Sequence, residues 1–210
     1  MSYRIVDIEN WERRDLFKLY TTSLKLVMNI TVEMDVTHLR AFCRERGLRF
    51  YPTMIWAVSR VINSREEFRY RIREDGTLIL YDYVSPSYTD FNPETEKFVK
   101  FVTEYSEDLE VFHERAVRDM AAHKNEVGFL PDQPENFFDI SCLPWTAYQS
   151  MTLHVDDGKI SLFPVVIWGK YEEKDGRTVM PVTLNVHHAV ADGFHASRFF
   201  NDLQNAINAL

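Results

Sequence analysis

Two Asp-Gly dipeptides constrain this chain more than anything else in it. Asp75-Gly76 lies between Phe68–Ile72 and Thr77–Tyr81, and Asp175-Gly176 lies between Pro164–Glu172 and Thr178–Val186. Each flanking segment is β-branched or aromatic, and Asp-Gly supplies the positive backbone angles of a tight turn, so each unit reads as an antiparallel hairpin. Between and around them lie helical patterns. Asn10 can cap a helix over Trp11–Tyr20 with Trp11, Phe17 and Tyr20 on one face. Leu24–Val36 reads as a strand, and Thr37–Arg46 as a short helix stopped by Gly47. Pro52 fits a first helical turn, followed by an apolar stripe of Met54, Ile55, Val58, Val61 and Ile62 to about Asn63. Phe98–Val102 and Met151–Val155 are strand candidates. Ser106 opens an amphipathic helix to about His123, and a last helix runs from about Gly193 to Ala209. Helices interleaved with antiparallel hairpins predict an α/β two-layer sandwich, a mixed, mainly antiparallel sheet covered by helices. No linker or repeat interrupts it, so residues 1–210 read as a single domain.

Charge and composition exclude several functions. The net charge of -8, with no Lys/Arg block, argues against nucleic acid and anionic membrane as partners. The N-terminus has no basic cap before an apolar stretch, and no apolar run could span a bilayer. The two cysteines, Cys43 and Cys142, form no Cys-x-x-Cys, so neither a disulfide scaffold nor a zinc ribbon is expected and a cytoplasmic location fits. Neither a dinucleotide-binding glycine motif nor a P-loop is present.

The reactive segment is His187-His188-Ala189-Val190-Ala191-Asp192-Gly193, on the turn between the strand Val182–Val186 and the last helix. Reactive groups are commonly held on loops fixed by rigid elements. Adjacent residues of an extended segment point apart, so one histidine faces a site and the other packs locally. A histidine, with an unperturbed pKa of about 6.5, can take a proton from a hydroxyl near neutral pH. Asp192 could orient an imidazole or pair with a distant arginine to hold the turn. His188, Asp192 and His195 also stand at metal-ligand spacing if helical, but Gly193 interrupts that window and no further ligand cluster is evident, so no metal is expected.

The string Asn185-Val-His-His-Ala-Val-Ala-Asp-Gly-Phe-His195 closely resembles the active-site signature of the type A chloramphenicol acetyltransferases, of the coenzyme A-dependent acyltransferase superfamily. The resemblance covers nearly the whole chain: Asn10-Trp11-Glu12-Arg13-Arg14, Phe50-Tyr51-Pro52-x-Met54-Ile55, Glu94-Thr95-Glu96-x-Phe98, Ile140-Ser141-x-Leu143-Pro144-Trp145 and Gly169-Lys170-Tyr171 are each similar to a family motif, in the family's order. It implies a chloramphenicol acetyltransferase-like fold and a homotrimer with sites between subunits. Acetyl-CoA is the implied co-substrate, with no permanently bound cofactor, and chloramphenicol the default acceptor. It implies His188 as the general base, Ser141 as the oxyanion donor, and an Arg13–Asp192 ion pair that shapes the turn. Tyr20, Thr89, Phe98, Leu153, Val155 and Val165 would line the acceptor pocket, and Lys170 and Tyr171 would lie near coenzyme A. His188 and Asp192 would come from one subunit and most of the acceptor pocket from its neighbour.

The chain also departs from the family pattern. Asn185 replaces a usual Gln, and Ala191 a common Cys. Ile167 stands where the family has a Thr that helps hold a transition-state water, and Met28 and Met151 stand where acceptor-contacting Phe residues are usual. The catalytic set is complete and the acceptor pocket is altered.

Overall fold

The computed structural model describes residues 2–153 and 159–210. Among these, the strands form two sheets. The strands are β1 (Tyr3–Ile5), β2 (Val27–Asp35), β3 (Tyr70–Ile72), β4 (Leu78–Tyr81), β5 (Ser85–Asn92), β6 (Lys97–Val102), β7 (Gly128–Phe129), β8 (Phe137–Leu143), β9 (Val165–Gly169), β10 (Glu172–Lys174) and β11 (Arg177–His187). The helices are α1 (Arg14–Lys18), α2 (Thr37–Arg46), α3 (Phe50–Asn63), α4 (Leu109–Ala122) and α5 (Gly193–Asn208).

The large sheet runs β10-β11-β9-β8-β5-β6-β7, with β2 pairing antiparallel to β11. It is mixed: β5 with β8, β8 with β9 and β6 with β7 are parallel, and the other pairs are antiparallel. The helices lie on one face. Val182, Leu184 and Val186 of β11, Val166 and Trp168 of β9, Ile140 of β8 and Tyr88 of β5 are buried beneath them. Each large apolar side chain so buried contributes about 1.5–3 kcal/mol, and α5 adds Phe199, Phe200, Leu203 and Ile207. That packing fixes the last helix against the sheet, and with it the turn at its N-terminus. The alternate residues of the same strands face the other way, and they are the chemically varied ones: Thr31, Thr183, Asn185, Ser141, Asp139, Thr89 and Lys100.

Several boundaries differ from the sequence reading. The helix expected from Trp11 begins at Arg14 and widens into a π turn over Leu19–Ser23. Asn10 does not cap it, because its side chain donates to Asp7 Oδ2 at 2.7 Å. Thr21 and Thr22 donate back to the Phe17 and Lys18 carbonyls, an alternative to helix bonding that widens the turn. The helix expected from Ser106 begins at Leu109, where Asp108 accepts the Val111 N–H as its cap. The first Asp-Gly hairpin forms with Gly76 at φ +83°, but it belongs to a separate sheet ordered β1-β4-β3. β5 and β8 went unread, the first because it is Ser-Pro-Ser-Tyr-Thr-Asp-Phe-Asn, poor in strand formers. Of the strand expected over Met151–Val155, residues 151–153 carry no strand, and Val155 lies outside the described residues. No helix among the described residues is long and apolar enough to cross a membrane.

Candidate active site

The histidine turn is built by three side chains that grip its backbone. Asp192 caps α5, its Oδ1 accepting the Phe194 and His195 N–H groups. The His195 ring adds a 2.8 Å contact to the same oxygen. Its Nδ1 also lies 3.3 Å from the Asp192 N–H. One nitrogen cannot serve both, and the shorter contact to a carboxylate is the stronger. Arg13, immediately before α1, donates from Nε to the Ala189 carbonyl (2.9 Å), from one terminal nitrogen to the His188 carbonyl (2.9 Å), and from the other to Asp192 Oδ2 (3.2 Å). Partial burial pushes the Asp192 carboxyl up, but the bonds from His195 and Arg13 outweigh it and hold its pKa at about 2. Among the described residues no hydrogen bond joins Asp192 to the His188 ring; its bonds go to the backbone and side chains of the turn.

The two histidines diverge. His187 ends β11 buried, and its Nδ1 accepts the Ala189 N–H at 3.2 Å. Burial and the neighbouring His188 keep its pKa below the usual value. His188 is held by its backbone N–H to the Leu26 carbonyl (2.8 Å). Its ring stacks on Tyr20 with centroids 4.2 Å apart and planes 24° apart. Nδ1 of that ring is buried with no hydrogen-bond partner among the described residues, which leaves Nε2 as the outward nitrogen.

Ser141 is not in this cluster. It lies on β8 opposite Ile167 of β9, which in turn lies opposite Thr183 of β11, four residues before His187. At about 3.3 Å per residue and about 4.8 Å per strand, the Ser141 and His187 backbones are roughly 16 Å apart. One chain therefore presents two separate groups of residues. Tyr20, His188, Arg13 and Asp192 form the first. Ser141, Thr89, Phe98 and Val165 share the open sheet face and form the second. Val165 pairs with both Asp139 and Asn185, and Thr89 with Lys100. Leu153 is exposed and accepts from the Asn185 side-chain amide at 2.8 Å. Lys170 and Tyr171 follow β9 at the Ser141 end. Lys170 is exposed, and the Tyr171 ring lies under the Arg40 guanidinium at 4.4 Å and beside Phe50. Met28 packs against the core on the helix side of β2, away from Ser141.

Three features of this part of the sheet were not read from the sequence. Tyr148 folds back over it and donates to the Ile167 carbonyl at 2.9 Å. It accepts from Thr183, which is bonded in turn to Thr31 at 2.7 Å. Gly169 makes room for it: a Cβ there would come within 2.9 Å of the Tyr148 ring and 2.8 Å of the Thr146 carbonyl. The glycine in Gly169-Lys170-Tyr171 was the one available signal. Cys142, next to Leu143 on β8 and turned with Ile140 towards the helices, is a quenched thiol, pushed up to about 12 by burial. Lys100 and Asp139, far apart in sequence, form an ion pair at 2.6 Å. No group of three or more His, Cys, Asp or Glu among the described residues is placed to hold a metal ion.

Residues 1–204 match the family model described as CAT, chloramphenicol acetyltransferase. The chain belongs to this family. It is similar to the chloramphenicol acetyltransferase of Vibrio anguillarum, at 34% identity over all of this chain and 96% of the relative. It is also similar to that of Streptomyces acrimycini, at 37% identity over 95% of this chain and 91% of the relative. A solved chloramphenicol acetyltransferase superposes with a TM-score of 0.87 at 26% identity, covering 98% of this chain and 100% of that one. The Azotobacter vinelandii dihydrolipoamide acetyltransferase shares the fold, with a TM-score of 0.66 at 20% identity over 91% of this chain and 84% of that one. The family member described here is accordingly an acyltransferase, on a chloramphenicol acetyltransferase-like fold.

Proposed function

We propose that this acyltransferase moves the acetyl group of acetyl-CoA to a hydroxyl of a small acceptor, with chloramphenicol as the default acceptor and antibiotic resistance as the consequence, and that it works as a cytoplasmic homotrimer without a permanently bound cofactor. His188 Nε2 takes the proton of the acceptor hydroxyl. The oxygen attacks the thioester carbonyl, and Ser141 Oγ donates a hydrogen bond to the resulting oxyanion. The intermediate collapses, the carbon–sulfur bond breaks, and the leaving thiolate receives the proton from His188. No acyl-enzyme forms. Lys170 and Tyr171, at the Ser141 end of the sheet, would border coenzyme A, while Tyr20, Thr89, Phe98, Leu153, Val155 and Val165 would border the acceptor.

The observation that carries this reading is the state of the His188 ring. It is stacked on Tyr20, held by a turn that Arg13 clamps, and its buried Nδ1 has no hydrogen-bond partner among the described residues. A structural histidine would have its ring nitrogens bonded, as His187 does on one side. The gap of roughly 16 Å to Ser141 supports a site completed by a second subunit, with His188 of one facing Ser141 of the next. The test is a free-thiol assay with acetyl-CoA and a panel of alcohols and amines including chloramphenicol. Release that requires both acceptor and His188 is expected, and unimpaired release by His188→Ala would sink the mechanism.

A second reading keeps the chemistry and changes the acceptor. Ile167 is buried beside Ser141 and offers no hydroxyl. Slow transfer to chloramphenicol beside fast transfer to another alcohol or amine would favour it.

A further inference from the structure

The open face of the large sheet holds a charged pair among apolar and hydroxyl side chains. Lys100 Nζ lies 2.6 Å from Asp139 Oδ1, with the side chains only 18% and 32% exposed. Asp139 stands two residues before Ser141 on β8, on the same face. Ser87 and Val165 flank it on the neighbouring strands, and Lys100 faces Thr89. The pair therefore sits amid the residues read as acceptor contacts. Lys100 is also 5.3 Å from the centroid of the Phe129 ring, which holds it on a second side.

The two oxygens of Asp139 differ. Oδ1 is buried 2.6 Å from Lys100 Nζ, a charge contact without hydrogen-bond geometry, and has no hydrogen-bond partner among the described residues. Oδ2 has no hydrogen-bond partner among the described residues and is the oxygen left open to the face. Two charges out of water are unfavourable unless well paired. A shallow cavity on the Lys100 side, bounded by Ser87, Lys100, Phe129, Gln133 and Phe137, does not reach Asp139.

We propose that the Lys100–Asp139 pair selects the acceptor. Asp139 Oδ2 receives a second hydrogen-bond donor of the acceptor, a hydroxyl or an amine, carried about 7 Å from the oxygen that reacts beside Ser141, the spacing of alternate residues on a strand. Lys100 holds the carboxylate in place. This rests on the acyl-transfer reading above and names the acceptor class for it: polyols and amino alcohols in preference to monohydric alcohols. A site built to pair a donor discriminates strongly against an analogue that lacks it.

The test uses 1,5-pentanediol, 5-amino-1-pentanol and 1-hexanol with acetyl-CoA, reading thiol release as kcat and KM separately, and calorimetric binding of the same compounds without acetyl-CoA. The native protein is expected to favour the diol and the amino alcohol over hexanol by at least about tenfold in kcat/KM, mostly through KM. Asp139→Leu should collapse that ratio towards one. Asp139→Asn, which keeps an oxygen, should retain part of the preference for the diol and lose that for the amine. The double variant Lys100→Met/Asp139→Leu removes the unpaired ammonium and should give the same collapse if the single variant folds poorly. An unchanged ratio in either folded leucine variant overturns the proposal. Thiol release with no preference among the three overturns it while leaving acyl transfer standing. Diol binding that depends on Asp139 but yields no thiol upholds the pair and overturns the acyl-transfer reading.

Discussion

Arg13 holds Asp192 across the base of the histidine turn, at 3.2 Å, while its two other bonds fasten the carbonyls of His188 and Ala189. The pair joins the residue before the first helix to the cap of the last, 179 positions apart. Arg13→Ala would leave two carbonyls and a carboxylate without their donor. We expect a loss of about 2–4 kcal/mol in urea unfolding, with activity lost in the surviving folded fraction. Arg13→Lys should recover little of either, because an ammonium cannot span three acceptors in one plane.

Asp192 also sets an acid limit. Its folded pKa of about 2 lies below the ordinary carboxylate value of 3.8. The stability it contributes is fully present above pH about 4 and is lost as pH falls through about 2. Asp192→Asn should flatten that part of the melting-temperature profile, and an unchanged slope between those pH values would contradict the assignment.

His187 titrates with the opposite sense of charge. Burial keeps it neutral and lowers its folded pKa below 6.5. The unfolded chain then binds the proton first, so stability should fall as pH drops below about 6.5 towards the folded value. Thermal melts of the native protein and of His187→Asn should diverge between pH 7.5 and 5.5, the native protein losing more.

The overall architecture was legible because hairpins and amphipathic helices write themselves locally. Gly76 and Gly176, both at positive φ, close the two hairpins, and Gly47 ends α2 at φ +67°. β5 was not legible, since its Ser, Pro and Asp residues owe their strand state to Phe98–Val102 and Phe137–Leu143 on either side. The motifs named His188, Ser141, Arg13 and Asp192. Lys100 with Asp139, and Tyr148 with Gly169, were missed because each pair is made by tertiary register and each residue alone looks like ordinary surface.

Tyr148 should be a positioning residue for the face beside Ser141. Tyr148→Phe removes the link from Thr183 to the Ile167 carbonyl. About 1 kcal/mol of stability should go with it, together with a rise in KM that exceeds the change in kcat. Gly169→Val drives a side chain into the same ring and should lower the melting temperature further.

Complementation tests the proposed site between subunits. His188→Ala and Ser141→Ala proteins are each expected to be nearly inactive, the second by about 10²-fold or more. Unfolded together and refolded as a mixture, they should regain roughly a quarter of native activity, since random head-to-tail neighbours bring together an intact histidine and an intact serine that often. No recovery in mixed, folded oligomers would show that the two residues act within one chain.

If the distance between Ser141 and the histidine turn is closed by a second subunit, as proposed, turnover becomes a gauge of crowding among copies of the chain. In the proposed shared site, a subunit diluted below the dissociation constant of the assembly would keep its clamped turn and its stacked imidazole and lose the oxyanion donor of its neighbour. Specific activity should then fall with dilution while the spectroscopic signature of the fold persists, so that activity per molecule would rise with the amount of protein present.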